Sequence, residues 1–279
     1  MDGTANHSGK SFLKWAGGKN WFTKHIESIL GDLEYGSYYE PFLGGGSVFF
    51  HLAPTTAFLS DTNEELICAY KGLRDDVDGV IDLLESWPVT EESYYKIRAT
   101  IYDDEISRAA RFIYLNRTSF NGIYRVNREG IYNVPYGHND RYRFDYERLR
   151  SSSAVLRDAK LSVMDYECAL ADITCNSLVF LDPPYTVAHN NNGFIEYNKK
   201  LFSLDDQYRL RRCIDEISNA GAYFILTNAA HQTIKDIFDG CGTRLELSRY
   251  STLGGKHALR QSISEFLFTN IPGVEQEKQ

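Results

Sequence analysis

Asp182-Pro183-Pro184-Tyr185 puts an acceptor, two stiffeners and a flat aromatic face into four consecutive residues. The apolar run before it, Ser-Leu-Val-Phe-Leu at 177–181, is short and β-prone and reads as a buried strand. The prolines end that strand and hold the next residues extended, because each fixes φ and lacks a backbone donor. Asp182 is then presented on a stiff turn at a strand's C-terminal end, the edge where open α/β sheets bind ligands. The Pro183 carbonyl can point into a cleft, and Tyr185 offers a π face beside it. Such a set suits a planar amino group: two acceptors for its N–H protons and a ring on which to stack. A plain Asp-Pro turn closing a strand would use the same residues, so neighbouring segments must decide.

Two more carboxylates stand at similar places. Residues 38–50, Tyr-Tyr-Glu-Pro-Phe-Leu-Gly-Gly-Gly-Ser-Val-Phe-Phe, read as strand, glycine turn and helix, with Glu40 closing the strand. Glycines from Gly44 onward let the backbone turn sharply and approach a ligand without a Cβ in the way. Asp61 ends a second short strand, 57–61, and lies 21 residues after Glu40. An acid at about that distance is where a doubly wound sheet binds ribose hydroxyls. The glycines do not spell G-x-G-x-x-G, so a nucleoside without a dinucleotide's phosphates fits better. Asp61 or Asn63 could equally cap the helix that starts at Glu64. Gly17-Gly18-Lys19 precedes an amphipathic stretch over 21–30 and could hold a carboxylate through backbone amides and an ammonium; a glycine turn with an exposed lysine is the plainer alternative. Ser8-Gly9-Lys10-Ser11 is not a phosphate loop, since five residues separate Gly3 from Gly9 where the motif has four.

These residues need elements to hold them. The βα alternation of 10–70 breaks near residue 71 and resumes with a strand at 161–165. In between, Val77, Val80, Ile81 and Leu84 share one helical face, and Ile106, Ala109, Ala110, Ile113 and Tyr114 share another. A polar and aromatic loop follows from Leu115, with a hairpin-like turn at Asn127-Arg128-Glu129-Gly130. From Arg108 to Arg150 nine arginines face four acids, a local net of +5 in a chain of formal charge −8. Localised positive charge is what a nucleic-acid contact requires, although a solvated arginine-rich helix would look alike. After the Asp-Pro-Pro-Tyr turn, 186–198 has the composition of a mobile lid. A helix over 204–217, a strand over 222–228 and closing strands at 245–247 and 264–269 follow, with a basic loop at 254–257.

The whole chain bounds the rest. With 279 residues, 43% hydrophobic and 24% charged, it has room for one α/β domain with a sizeable insertion. No apolar run reaches bilayer length, and the N-terminus has no apolar signal core. A cytoplasmic protein with a frayed polar leader is expected. Five cysteines, none in Cys-x-x-Cys, argue for reduced core thiols rather than a disulfide framework or a zinc site.

The chain resembles the Dam-type DNA adenine-N6 methyltransferases, the α-ordered amino-methyltransferases. The resemblance rests on Phe-Leu-Lys-Trp-Ala-Gly-Gly-Lys (12–19), Glu-Pro-Phe-Leu-Gly-Gly-Gly-Ser-Val-Phe-Phe (40–50) and Asp61. It continues through Leu-Asn-Arg…Phe-Asn-Gly…Arg (115–125), Asn-Val-Pro-Tyr-Gly (133–137) and Asp-Pro-Pro-Tyr (182–185). It spans about residues 12–269 and implies an α/β, Rossmann-like S-adenosylmethionine-dependent methyltransferase sheet, mixed and mostly parallel. The catalytic and cofactor-binding domain is then discontinuous, 10–70 and 151–272. A helical DNA-recognition subdomain, 71–150, is inserted in it, and 1–9 and 273–279 are flexible termini. The resemblance further implies that Trp15, Lys19, Asp61 and Asp182 contact S-adenosylmethionine. Lys19 and the glycine-turn amides, Gly44 among them, would hold its carboxylate; Glu40 would lie near its ammonium and Asp61 on its ribose. Asp165-Tyr166 resembles the family's adenine-contacting pair.

The same resemblance implies a flipped adenine whose N6 donates to Asp182 and the Pro183 carbonyl, with Tyr185 stacked on the base. Methyl transfer from a sulfonium needs orientation and electrostatics, not a metal. Arg125 resembles a guanine-reading arginine, Phe120 and Asn121 resemble residues that intercalate beside the orphaned thymine, and Ile123 could meet a thymine methyl. Lys14 resembles a base-contacting lysine; Arg117 and Pro135 lie within the matching motifs. The partner is double-stranded DNA, the setting cytoplasmic and nucleoid-associated, and the target GATC or a longer palindrome beginning with GAT. Thr118-Ser119 and His138-Asn139 depart from the family's pattern and leave the outer base pairs open. Rival readings are a methyltransferase of RNA or of protein glutamine, a non-catalytic DNA-binding module, and a nicotinamide oxidoreductase. The arginine-rich insertion, the intact Asp182, Tyr185 and Lys19, and the missing G-x-G-x-x-G disfavour them in turn.

Overall fold

Strand 177–181, expected to be buried, is buried at every position, because helices and neighbouring strands cover both faces of a central parallel strand. The structure is a computed structural model that describes residues 9–185, 202–250 and 262–275. The expected leader, the lid over 186–198, the basic loop at 254–257 and the last residues of the tail lie outside them. The strands are β1 (Ser37–Glu40), β2 (Ala57–Asp61), β3 (Lys160–Val163), β4 (Ser177–Leu181), β5 (Tyr223–Ala229), β6 (Thr243–Tyr250) and β7 (Ser262–Thr269). They form a seven-stranded sheet in the order β3-β2-β1-β4-β5-β7-β6. β1 runs parallel to β4, β4 to β5 and β2 to β3, whereas β7 is antiparallel to both β5 and β6. This is the mixed, mostly parallel, Rossmann-like sheet that was expected. Its order reverses between β1 and β4, and at such a switch point open α/β sheets bind ligands.

Contacts group the chain into two compact units, 1–23 with 43–164 and 24–42 with 165–279. The first holds β2, β3 and helices α2 (Ser47–Leu52), α3 (Glu64–Asp75), α4 (Val77–Ser86), α5 (Glu91–Ala99), α6 (Glu105–Thr118) and α7 (Tyr146–Leu156). The helices over 71–150 thus share a compact unit with β2 and β3. Each begins with a side-chain cap that the sequence supplies: Asn63 accepts from Leu66 N, Asp76 from Gly79 N, Thr90 from Ser93 N, Asp104 from Ser107 N and Asp145 from Arg148 N. Replacing one such cap by alanine costs about 1 kcal/mol. Asn63, not Asp61, is therefore the cap of α3. Val80, Ile81 and Leu84 of α4 and Ala109, Ala110, Ile113 and Tyr114 of α6 are buried on the faces their spacing marks out.

The sequence reading ends that last helix too early. α6 continues through Thr118, because buried Leu115 and Asn116 extend its inner face and Thr118 Oγ1 bonds back to the Tyr114 carbonyl at 2.6 Å. Helices α5 and α7 were not anticipated; their mixed polar and aromatic composition gives only a weak apolar stripe.

The second unit holds β1, β4–β7, α1 (Thr23–Leu30), α8 (Tyr166–Leu170), α9 (Leu204–Asn219) and α10 (Gln232–Ile237). Ile26 and Ile29 of α1 are buried as the spacing requires. Ser203 and Asp206 form a reciprocal capping box at the start of α9. All five cysteines are free, but only Cys68, Cys213 and Cys241 are core thiols. Cys168 on α8 and Cys175 in the approach to β4 are exposed, which corrects the expectation for those two. Among the described residues no helix is long and apolar enough to cross a membrane, and no group of His, Cys, Asp or Glu could hold a metal ion.

Candidate functional site

At the switch point of the second unit, two adjacent parallel strands end in carboxylates. Glu40 closes β1 and is only 3% exposed, with the Tyr38 hydroxyl donating to its Oε2 at 2.7 Å. Burial, reinforced by the Glu40 charge, pushes the Tyr38 phenol well above its usual value, so it stays a donor. Asp182 follows β4. Parallel pairing sets Leu181 beside Leu226 on β5, which brings the next residue, Thr227, to the aspartate. The Thr227 hydroxyl, buried, donates to Asp182 Oδ1 at 2.8 Å. A hydroxyl in that position orients the carboxylate without neutralising it. Pro183 is buried and Tyr185 half-buried; the Tyr185 hydroxyl donates to Oε2 of Glu265, on β7, at 2.5 Å.

Asp165 and Tyr166 have different surroundings. Asp165 caps α8 by accepting from Glu167 N at 3.0 Å and also receives Arg209 Nη2 at 3.0 Å. Its side chain remains partly exposed. Tyr166 is a core residue, packed 5.1 Å from the Phe42 ring and donating its hydroxyl to the Asp206 carbonyl at 3.1 Å. Arg209 lies 5.1 Å from the Tyr166 ring centroid and also pairs with Glu167 and Asp206.

In the first unit, Asp61 and the glycine turn form one construction. Gly44 N donates to Asp61 Oδ2 and Asn63 N to Oδ1, both at 3.0 Å. Burial raises the Asp61 carboxyl above its ordinary value, and the amides of Asn63, Gly44 and Thr62 offset only part of that rise. The turn uses left-handed backbone at Gly44 and Gly46, and Trp15 packs directly against it. A Cβ on Gly44 would fall 2.8 Å from Trp15 Nε1, and one on Gly45 would fall 2.9 Å from Trp15 Cβ. The indole continues into a stack with Tyr124 at 5.7 Å and Phe112 at 6.4 Å. Lys19 is not exposed, as a simple glycine turn would leave it; it is 4% exposed, and its Nζ bonds the Gly17 carbonyl at 3.3 Å.

The same unit gathers the residues matched to DNA recognition. Asn116 latches the Lys14 backbone through both ends of its amide, at 2.9 and 2.8 Å, and reaches the Gly122 carbonyl at 3.4 Å. Lys14 is thereby held against the Phe120–Gly122 turn, where a Cβ on Gly122 would strike its side chain. Burial and then the charge of Arg117 lower the Lys14 pKa, so two cations are kept close together. Phe120 is 52% exposed, Asn121 takes a left-handed backbone at φ 57°, and Phe120 N donates to the Pro135 carbonyl at 2.9 Å. Ile123 is half-buried and accepts the Tyr132 hydroxyl at 3.0 Å. Arg117 donates to Tyr142. Arg125 stands exposed on a narrow hairpin that Asn127 closes, its Nε on Asn133 Oδ1 at 2.8 Å.

The arginine count overstated the usable charge. Arg108 is spent on Glu64 and Glu65, Arg148 on Asp145, Arg150 on Asp78 and Arg111 on the carbonyls of Ile97 and Arg98. Sequence reasoning also missed Thr227, Glu265, Asn116 and Asn133. Thr227 and Glu265 reach their partners through strand register, and Asn116 reaches Lys14 across 102 residues, which spacing along the chain does not reveal; Asn133 meets Arg125 across the hairpin, eight residues away.

The family model for D12 class N6 adenine-specific DNA methyltransferases matches residues 15–252. The chain belongs to this family. Among similar proteins, Type II methyltransferase M1.LlaDCHI of Lactococcus lactis subsp. cremoris is 34% identical over 276 residues, covering 94% of this chain and 95% of that protein. Type II methyltransferase M.MjaIII of Methanocaldococcus jannaschii is 38% identical over 246 residues, covering 79% and 84%. A DNA adenine methylase of Vibrio cholerae is 28% identical over 275 residues, covering 96% and 98%. The resemblance read from the motifs is thus correct at the level of family. As a D12 methyltransferase the chain is an enzyme that acts on adenine in DNA, and the strand-end carboxylates and the Asp-Pro-Pro-Tyr turn lie within the matched region.

Proposed function

We propose that this D12 methyltransferase moves a methyl group from S-adenosylmethionine to N6 of an adenine flipped out of duplex DNA, at GATC. The observation that carries the reading is the Asp182 carboxylate, held by the Thr227 hydroxyl at the end of β4 and followed by a rigid Pro-Pro-Tyr turn. An adenine inside the stack cannot reach such a turn, so the base must leave the helix. Its N6 lone pair is delocalised into the ring and is a poor nucleophile. Accepting the N6–H bonds at Asp182 and at the Pro183 carbonyl favours a more tetrahedral nitrogen with its lone pair available. Tyr185 stacks on the base, a contact worth ~1–3 kcal/mol.

The methyl donor fits the residues present. Asp61 is an acceptor braced by two backbone amides, which suits the two hydroxyls of a ribose. In this reading Lys19 and Trp15 hold its amino-acid end, Glu40 balances its ammonium and Asp165-Tyr166 border its adenine; the Gly44 amide, expected to bind the carboxylate, is given to Asp61 instead and shapes the turn. When bound, the sulfonium supplies an electrophilic methyl carbon. The protein adds orientation and a fixed field.

Recognition falls to Lys14, Arg117, Phe120, Asn121, Ile123, Arg125 and Pro135 within the 71–150 segment and its latch to residue 14. GATC follows from the resemblance to the Dam type together with Arg125. Transfer of tritiated methyl to GATC duplexes, to duplexes changed at each position, and to RNA and protein tests the proposal. Label confined to RNA or protein, or equal on every duplex, refutes it.

Two expectations attach to it. Asp61→Ala should weaken donor binding about ten- to a hundredfold, the loss of a charge-assisted hydrogen bond, with DNA affinity unchanged. Equilibrium binding of the donor checks this, and unaltered affinity removes Asp61 from the donor site. DNA binding should weaken with salt, the log–log slope falling by ~0.9 for each phosphate neutralised. Arg128, exposed at the tip of the hairpin that carries Arg125, is assigned to a backbone phosphate: Arg128→Ala should reduce that slope by about one, and a slope equal to that of the parent enzyme would remove this assignment.

A further inference from the structure

Glu265 is a buried carboxylate that the chemistry above does not use. It is 1% exposed in the middle of β7, paired across to Ala229 on β5 and Leu247 on β6, and is followed by Phe266, Leu267 and Phe268. A charge there is costly unless hydrogen-bonded, and an apolar residue would serve the strand better. Its Oε2 receives the Tyr185 hydroxyl at 2.5 Å, across 80 residues of sequence. Two places along, Leu267 pairs with Thr227, whose hydroxyl holds Asp182. The antiparallel pair β5–β7 therefore grips the Asp-Pro-Pro-Tyr turn at both ends, the aspartate from β5 and the tyrosine from β7.

We infer that Glu265 is a positioning residue that anchors the Tyr185 ring through its hydroxyl, so that the stacking face for the extruded adenine is fixed before the base arrives. The inference rests on the reading of Tyr185 as that face. A tyrosine ring has two torsions: holding its hydroxyl fixes where the far end of the ring lies and so restrains χ1, while the preference of a phenolic O–H to donate in the ring plane favours one orientation about χ2. A ring left loose must be ordered anew at each encounter, and that cost is charged to the extruded state from which transfer occurs. The anchor should therefore act on kcat and on the population of extruded base, and leave donor binding alone.

The test uses the full chain, S-adenosylmethionine and a duplex carrying 2-aminopurine at the target adenine. Tyr185→Phe and Glu265→Leu should each lower kcat about ten-fold and reduce the 2-aminopurine signal, with the donor KM within about two-fold of the parent. The double variant should be no slower than either single one, since both remove the same contact. Glu265→Gln keeps an acceptor and should restore most of the rate. Parental kcat in Tyr185→Phe, or losses that multiply in the double variant, would overturn the inference. Should Glu265→Leu not fold, Tyr185→Phe and Glu265→Gln still decide. Tyr185→Ala separates the two levels. Full activity there removes the stacking role and the anchor with it; loss there alongside a parental Tyr185→Phe removes the anchor alone.

Discussion

Asp182→Ala should lower kcat by a factor on the order of 10²–10³ or more, the range found when one preorganised polar contact to a reacting group is lost. On the proposed function, the substitution removes an acceptor of N6–H at the step where the nitrogen must become nucleophilic. It should leave the fold standing. Leu181 and Thr227 remain buried in adjoining strands, and the freed Thr227 hydroxyl lies 3.5 Å from the Leu181 carbonyl, which can accept its hydrogen bond. DNA affinity should also persist, because the residues assigned to recognition, Lys14, Phe120, Asn121 and Arg125 among them, make none of their described contacts to Asp182. Single-turnover methyl transfer with parallel binding and thermal unfolding measurements distinguishes the cases. Turnover within ~10-fold of the parent, 1.4 kcal/mol, would show that the carboxylate does no chemistry.

Arg125→Ala should relax discrimination at one guanine by ~1–3 kcal/mol, roughly 5- to 150-fold in the ratio of kcat/KM between the preferred and the altered duplex. The side chain suits such a role because it is exposed yet aimed. Asn133 bonds its Nε at 2.8 Å and its Nη2 at 3.4 Å, and the backbones of the two residues pair across the hairpin at 3.1 Å. A guanidinium steadied from one side loses less freedom when its outer nitrogens meet O6 and N7. The loss should appear at a single base pair, whereas Arg128→Ala should weaken all duplexes alike. Equal ratios for Arg125→Ala and the parent enzyme, over duplexes altered at each position, would take Arg125 out of readout.

Much of the candidate site's local structure was legible because it lies in local runs. Strand, glycine turn and helix over 38–50, and strand then Pro-Pro-Tyr at 177–185, can each be read from a dozen residues. Their hydrophobic runs, prolines and glycines act on the backbone within one turn of themselves. The hairpin at 127–130 was legible for the same reason, Asn127 and Gly130 being fitted to a tight reversal. The helices at 91–99 and 146–156 were not. Their caps, Thr90 and Asp145, are visible in hindsight, but each helix buries only two or three side chains (Tyr94 and Ile97; Leu149, Ser152 and Leu156), too few to mark an apolar face along the chain.

Charge shows the same division. Nine arginines between 108 and 150 could be counted, but not that Arg108 would meet Glu64 and Glu65 or that Arg150 would meet Asp78. Those pairings join residues tens of positions apart and depend on how helices pack.

By itself, the sequence determined which residue types stand at the ends of β1, β2 and β4, where the chain turns, and to which family it belongs. These follow from short-range sterics and from motifs that recur in order. Only the tertiary structure decided that Thr227 orients Asp182, that Glu265 holds Tyr185, that Trp15 fills the hollow over Gly44 and Gly45, and that Asn116 latches Lys14 to the Phe120–Gly122 turn. Each of these is a contact between segments whose meeting is set by strand register and helix packing. Its strength depends on distances of about 3 Å, which the order of residues along a chain does not encode locally.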